Sequence, residues 1–246
     1  MIQPKISVVT VCYNAVNDIE KTILSVINQT YPNIEYLIID GGSKDGTMDI
    51  VNKYKDKIDV IVSEPDKGIY DAMNKGIDRA TGDWINFMNA GDCFANSKII
   101  SEVFEIEIKN KVAIYGDMFF VVGNKQRFIK SKKVSYIRNN MPCSHQALFC
   151  KMVDKTDLLF NTTYKIAADY NVLYGLFWKY GEDKILKLNI PIVLFDGTGV
   201  SSNNKIETFR EVLRIREKHK DMRYYWDAFK DLIKKITAVP FRNHRA

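Results

Sequence analysis

Tyr36-Leu37-Ile38-Ile39-Asp40-Gly41-Gly42-Ser43-Lys44-Asp45-Gly46-Thr47 runs from an apolar segment through a glycine-flanked aspartate into the helical pattern of about Asp45–Tyr54. A short apolar run bounded by glycine reads as a buried strand, and glycine lets the chain turn sharply at its end. The alternation continues on both sides. Ile6–Val11 precedes a helical pattern at Asp18–Ile27, with Ile19, Ile23, Val26 and Ile27 at three- and four-residue steps, Val60–Val62 precedes Ile69–Arg79, and Trp84–Met88 follows. Strand alternating with helix predicts a parallel sheet with crossover helices. Ligands of such sheets bind beyond the carboxyl ends of the strands. The segments to inspect are therefore Tyr13-Asn14, Asp40-Gly41-Gly42, Glu64-Pro65-Asp66-Lys67-Gly68 and Asn89-Ala90-Gly91-Asp92.

Past residue 92 the pattern changes. A helix is predicted over Ser97–Ile108, strands over Val112–Tyr115, Phe119–Val122, Gln126–Ile129 and Gln146–Cys150, a helix over Tyr170–Tyr180 and a strand over Ile185–Leu194, which makes a mixed extension of the same sheet. No linker or internal repeat interrupts it, so one domain is expected over 1–204, with halves at 1–95 and 96–204, followed by a basic amphipathic helical tail over 205–246. The 246 residues, 46% hydrophobic and 27% charged, can bury a core without metal or disulfide staples. Cys12, Cys93, Cys143 and Cys150 lack metal-ligand spacing and read as reduced thiols, which implies a cytoplasmic protein. The apolar start ends at Tyr13-Asn14 without a cleavage site, and no run approaches the roughly 18 to 20 residues of a membrane span.

Charge is distributed unevenly. Residues 118–153 carry seven Lys and Arg and no carboxylate, whereas 1–117 carry 12 against 18 Asp and Glu. A cationic stretch of this kind suits an anionic partner, and a mixed solvated face is the plainer alternative. The acidic first half argues against nucleic acid. Aromatic residues among lysines and arginines after Ile206 suit either an interfacial anchor on a membrane surface or a helix pair packed on the main body.

Among the strand ends, Asp40 offers a carboxylate able to accept hydrogen bonds from a base or ribose, or it sits in a turn where Ser43 or Asp45 caps a helix. The segment has neither the G-x-G-x-x-G order nor the lysine of a phosphate-binding loop. Asn89-Ala90-Gly91-Asp92 places a carboxylate where a hard cation would bridge two phosphate oxygens, or it is a local Asx turn.

Pro4–Asn14, Ser25–Glu35, Ile38–Thr47 and Asn74–Ile85, in that order, resemble the family 2 glycosyltransferases of the GT-A fold, nearly continuously over 4–95 and more weakly to about 200. The resemblance implies an α/β, GT-A Rossmann-like mixed sheet, mostly parallel in its first half and flanked by helices. It also implies inverting transfer of a sugar from a nucleoside diphosphate donor, most often a UDP-sugar, to an acceptor hydroxyl. By position it puts Thr10, Tyr13, Asn14 and Asp40 around the nucleobase and ribose, and Lys67 and the segment after it, including Asn74, near the nucleotide or diphosphate. The metal motif falls on Asn89, Ala90, Gly91 and Asp92. Family members often carry Asp where Asn89 or Gly91 stands here, so Asp92 is the one firm ligand for a divalent cation, Mn or Mg.

An inverting reaction needs a general base opposite the leaving group, and the family match is Asp169 in Ile166-Ala167-Ala168-Asp169-Tyr170-Asn171; the plainer reading is a cap on the helix Tyr170–Tyr180. His145, in the acid-free stretch, is a candidate contact to acceptor or diphosphate, or a core histidine. Phe195–Asn204 has the small polar composition of a lid or of a plain linker to the tail.

The resulting expectation is a glycosyltransferase peripheral to the inner face of the cell membrane, acting on a lipid-linked or oligosaccharide acceptor in surface polysaccharide synthesis such as O-antigen or capsule. A non-catalytic sugar-nucleotide-binding protein with a degraded metal motif is the rival reading. A nucleotidyltransferase would need a Gly-rich, basic loop after the first strand, and Val11–Val16 has none.

Overall fold

Along β1 (Ile6–Cys12), Val9 and Val11 join one core and Ile6, Val8 and Cys12 the other. β2 (Ile34–Asp40) and β4 (Trp84–Phe87) divide in the same way, Leu37, Ile39, Ile85 and Phe87 facing one side and Tyr36, Ile38 and Trp84 the other. This two-residue alternation, apolar on both faces, forces helices onto both sides of the sheet. α1 (Ile19–Ile27), α2 (Thr47–Lys53) and α4 (Ile99–Phe104) cover one face through Ile19, Ile23, Val26, Val51, Ile99 and Val103. α3 (Ile69–Arg79) and α5 (Ala168–Tyr180) cover the other through Met73, Ile77, Tyr170, Leu173 and Tyr174. The structure, a computed structural model, describes residues 3–106, 108–197, 205–219 and 229.

β3 (Val60–Ser63), β2, β1 and β4 are parallel neighbours in that order, with Cys12 opposite Asp40 and Asp40 opposite Ser63 at their carboxyl ends. The sheet continues through β8 (Leu148–Lys151), β6 (Ala113–Val122), β9 (Ile185–Asp196) and β5 (Cys93–Phe94), and β7 (Lys125–Ile129) pairs with the distal half of β6. β8 runs antiparallel to β4 and to β6, while β6 and β9 are parallel.

Two predicted strands, 112–115 and 119–122, are one bent strand. The register against β9 shifts on either side of Asp117, where a Cβ on Gly116 would stand 2.6 Å from the Ile190 carbonyl oxygen. Asp117 accepts the Ser131 N–H and hydroxyl, which ties down the bend. Other boundaries shift as well. The predicted helix over 97–108 is trimmed to α4, and residues 145–147 form a 3-10 turn before β8.

α6 (Lys205–Lys218) opens the predicted tail and packs on the body, with Val212 and Ile215 in the α3/α5 core. Its Glu211, 2% exposed, accepts the backbone N–H groups of Lys165, Ile166 and Ala167 at 2.7, 3.0 and 2.8 Å, the chain just ahead of α5. The remainder of the tail, apart from residue 229, and the predicted lid beyond residue 197 lie outside the described residues. No described helix is long and apolar enough to cross a membrane.

Glu35 anchors the amino-terminal edge of the parallel strands. Burial alone would raise its pKa, but Lys5 Nζ at 2.8 Å, Ser7 Oγ, and the Thr81 N–H and hydroxyl outweigh burial and bring the carboxyl down to about 2. A depressed carboxylate stabilises the fold above its unfolded pKa of about 4.5 and loses that contribution as pH falls through 2. Glu35→Gln is expected to lower unfolding free energy at pH 7 by up to about 3 kcal/mol. Urea titrations should also show the variant's stability changing less than the wild type's between those two pH values.

Candidate active site

The loops after β1 and β2 are laced together by polar contacts. Asn14, at φ +48°, donates its N–H to Ser43 Oγ at 2.7 Å and accepts the Lys44 N–H on its side chain at 3.0 Å. The Ala15 N–H reaches Thr47 Oγ1 and the Val16 N–H reaches Asp45. Asp40, fully buried, accepts the Gly42 and Ser43 N–H groups, the Ser43 and Ser63 hydroxyls and the Cys12 thiol. Burial and the Asp40 carboxylate together push the Cys12 thiol up, out of the nucleophilic range. These contacts leave Tyr13, 64% exposed, projecting into a cleft of about 1530 Å³.

After β4 the chain turns through Asn89, Ala90 and Gly91, the glycine at φ +103°. α1 holds this turn, because Thr22 Oγ1 accepts the Gly91 N–H at 3.0 Å and donates to the Asp92 carbonyl at 2.8 Å. The Asp92 side chain, on a residue 5% exposed, accepts the Asp196 N–H at 2.8 Å on one oxygen and the Gln146 amide at 2.7 Å on the other. Gln146 is delivered by the turn before β8, which Asn86 of β4 grips by donating to the Gln146 and Leu148 carbonyls at 2.9 Å. Burial raises the Asp92 carboxyl to about 6, against the lowering effects of the Asp196 N–H, His145 and Gln146. Next to Gly91, Lys21 Nζ bridges Asp18 and Asp196, each at 2.9 Å.

From the same turn a bridge crosses the cleft. Asn89 Nδ2 is 3.0 Å from His145 Nε2, and His145 Nδ1 is 3.6 Å from Asp169 Oδ2. Asp169 lies inside the first turn of α5, not at its cap, and its other oxygen accepts the Tyr170 N–H at 2.8 Å. Tyr70, stacked on Phe160, donates to the Ile166 carbonyl and steadies the chain entering α5. Lys130, Lys132 and Lys165 line the cleft and supply positive charge.

The fold thus brings Tyr13, Asn89, Ala90, Gly91, Asp92, His145 and Asp169 to one cleft. Five other candidates are placed elsewhere. Thr10 is fully buried, its hydroxyl paired with Tyr36 at 3.0 Å, because even-numbered β1 positions face α1 and α2. Asp40 is enclosed by its own turn, and Asn14 is held in the laced loops. Lys67 is exposed outside the cleft lining. Asn74 makes a two-way pair with the Phe160 backbone, donating at 2.9 Å and accepting at 2.8 Å. Gln146, Asp196 and Glu211 went unread, since their roles arise from contacts 44 to 104 residues apart in sequence.

The sequence pattern of glycosyl transferase family 2 matches residues 7–171. The chain belongs to this family. An uncharacterized glycosyltransferase of Haemophilus influenzae is 33% identical over 143 residues, spanning 56% of this chain and 57% of that protein. A PGL/p-HBAD biosynthesis glycosyltransferase of Mycobacterium bovis is 29% identical over 179 residues, spanning 70% and 69%. Staphylococcus aureus TarS 1–349 in complex with UDP-GlcNAc superposes with a TM-score of 0.69 at 20% identity, over 86% of this chain and 65% of that one. The mannosyltransferase PcManGT of Pyrobaculum calidifontis, in complex with GDP-Man and Mn2+, gives 0.60 at 17%, over 94% and 65%. At these identities the superpositions establish that this family 2 glycosyltransferase has the GT-A fold.

Whether a divalent cation fits can be judged from the donor set. Among the described residues no group of three or more His, Cys, Asp or Glu is arranged to hold one. Asp92 is one buried carboxylate whose two oxygens each keep a lone pair beyond the bonds they accept. Such a set fits only a shared cation, which Asp92 would hold together with phosphate oxygens of a bound donor.

Proposed function

We propose that this family 2 member is an inverting glycosyltransferase that moves a sugar from a UDP-sugar to a hydroxyl of a lipid-linked or oligosaccharide acceptor in surface polysaccharide synthesis. The observation that carries the reading is the Asn89–His145–Asp169 bridge, which places a carboxylate across the same cleft from Asp92. Tyr13 and the β1–β3 tips take the nucleoside, and Asp92 lies beside the diphosphate. Asp169 accepts the acceptor hydroxyl's proton as that oxygen attacks the anomeric carbon, the bond to the diphosphate breaks, and the nucleoside diphosphate leaves. His145 orients the Asp169 carboxylate and the acceptor. A divalent cation held by Asp92 and the phosphates would neutralise the charge that develops on the leaving group. Lys130, Lys132 and Lys165 supply fixed positive charge for an anionic acceptor, and the cation-rich 118–153 stretch supports peripheral association with an anionic membrane at the cytoplasmic face.

Thermal unfolding with UDP-, GDP- and dTDP-sugars, with and without Mn2+, tests the donor assignment. A UDP-sugar at 100 times its Kd is expected to stabilise the fold by about 2.7 kcal/mol. Mn2+ alone is expected to shift the melt little, and to add to the shift when a diphosphate is present. Absence of protection by every nucleotide sugar overturns the reading.

A further inference from the structure

Three successive backbone N–H groups converge on one buried side chain at the entrance to α5. Glu211 of α6 takes the Lys165 N–H on Oε1 at 2.7 Å and the Ile166 and Ala167 N–H groups on Oε2 at 3.0 and 2.8 Å. Such a run of amides forms a concavity for an anion, and a helix 44 to 46 residues downstream supplies the anion. The local sequence offers no substitute, because Ala167 at the start of α5 has no side-chain oxygen and no side chain caps that helix. Tyr70 holds the same stretch through the Ile166 carbonyl. Lys165, Ile166, Ala167 and Asp169 all line the cleft, as do Thr208 and Val212 of α6. α6 lies beyond residues 7–171, which the family pattern matches.

We infer that Glu211 is a positioning residue for sugar transfer, its carboxylate fixing the chain that enters α5 so that Asp169 meets the acceptor hydroxyl. The inference rests on the reading of Asp169 as the general base. Val212 and Ile215 already seat α6 in the core, so packing alone does not call for a buried charge beside them. What the charge adds is three fixed backbone positions two to four residues ahead of Asp169. An amide could not hold all three, since its NH2 would face at least one of the N–H groups. A displacement of about 1 Å at a reacting group can slow the chemistry about 10²-fold.

The test is a double-mutant cycle on the full chain with Mn2+ present. UDP release is followed from the UDP-sugar that protects best in the melts above, with water or an oligosaccharide as acceptor, and UDP affinity and melting are read for each protein. Glu211→Gln is expected to lower kcat about 10- to 100-fold and to leave UDP affinity within about twofold of wild type. In the Asp169→Asn background the same change should slow release less than about twofold, because a residue that acts through the base has nothing left to position. Ile215→Ala loosens α6 without touching the three N–H groups, and it should melt lower yet keep kcat within about threefold of wild type. Should Glu211→Gln fail to fold, Glu211→Asp, one methylene short of the N–H groups, enters the cycle with the same expected pattern. Equal losses in both backgrounds, a loss in Ile215→Ala as large as that in Glu211→Gln, or unchanged turnover in the Glu211 variant overturns the assignment while Asp169→Asn stays slow. Near wild-type release by Asp169→Asn, or none by wild type with either acceptor, removes the base reading itself.

Discussion

Replacing Asp169 by asparagine is expected to slow sugar transfer by about 10³-fold while leaving UDP affinity within about twofold of wild type. The amide keeps the volume and can still accept the Tyr170 N–H, so α5 and its first turn are undisturbed. What it cannot do is take a proton from the acceptor hydroxyl. His145→Gln is the companion variant. Glutamine can still reach toward Asn89 and Asp169 but lacks the rigid ring that spans them, so a smaller loss, about tenfold, is expected of a group that orients rather than accepts. Steady-state kinetics combined with UDP titration separate the two effects. Asp169→Asn with more than a tenth of wild-type turnover would remove Asp169 as the base. Donor binding with no transfer by the wild type to any acceptor offered would instead favour the rival reading of a non-catalytic sugar-nucleotide-binding protein.

Asp92→Asn is expected to lower turnover by about 10²- to 10³-fold and to abolish the added stabilisation that Mn2+ gives in the presence of UDP. Its effect on the fold should run the other way. Burial raises the Asp92 carboxyl from 3.8 to about 6. A carboxyl raised on folding contributes its full stability below the unfolded pKa and loses it as pH rises through the folded one. At pH 7 the ionised group therefore costs up to about 3 kcal/mol, which the asparagine avoids. The variant should melt no lower than wild type at pH 7, and its stability should depend less on pH between 4 and 6. A protein that melts several degrees lower yet keeps turning over would mark Asp92 as a clasp between Gln146 and Asp196 and nothing more. An inactive protein of undiminished stability is the pattern of a site that holds an uncompensated charge for function.

The two variants also show where the sequence was readable. Asp92 and Asp169 could be picked out because each stands where an element begins or ends, and because the family resemblance, by position, puts its metal motif and its base there. The approach of Asp66 to Gly41 could not be read, since it spans the β2–β3 crossover and exists only once the two loops fold against each other. Gln146 and Glu211 were hidden for the same reason: each meets its partner more than 40 residues away. Conversely, Thr10, Asp40 and Asn74 are polar residues in suggestive places whose hydrogen-bonding capacity the fold itself takes up.

Local pattern alone determined the layered α/β architecture, the parallel order of the first half and the edge of the sheet at which a ligand would sit. Alternation every two residues and recurrence every three or four are properties of the chain itself, and they dictate which side of each element must avoid water. The tertiary structure alone decided which polar groups at that edge remain available. Availability depends on whether some distant donor has already reached a carboxylate, and that pairing is made by packing rather than by spacing along the chain.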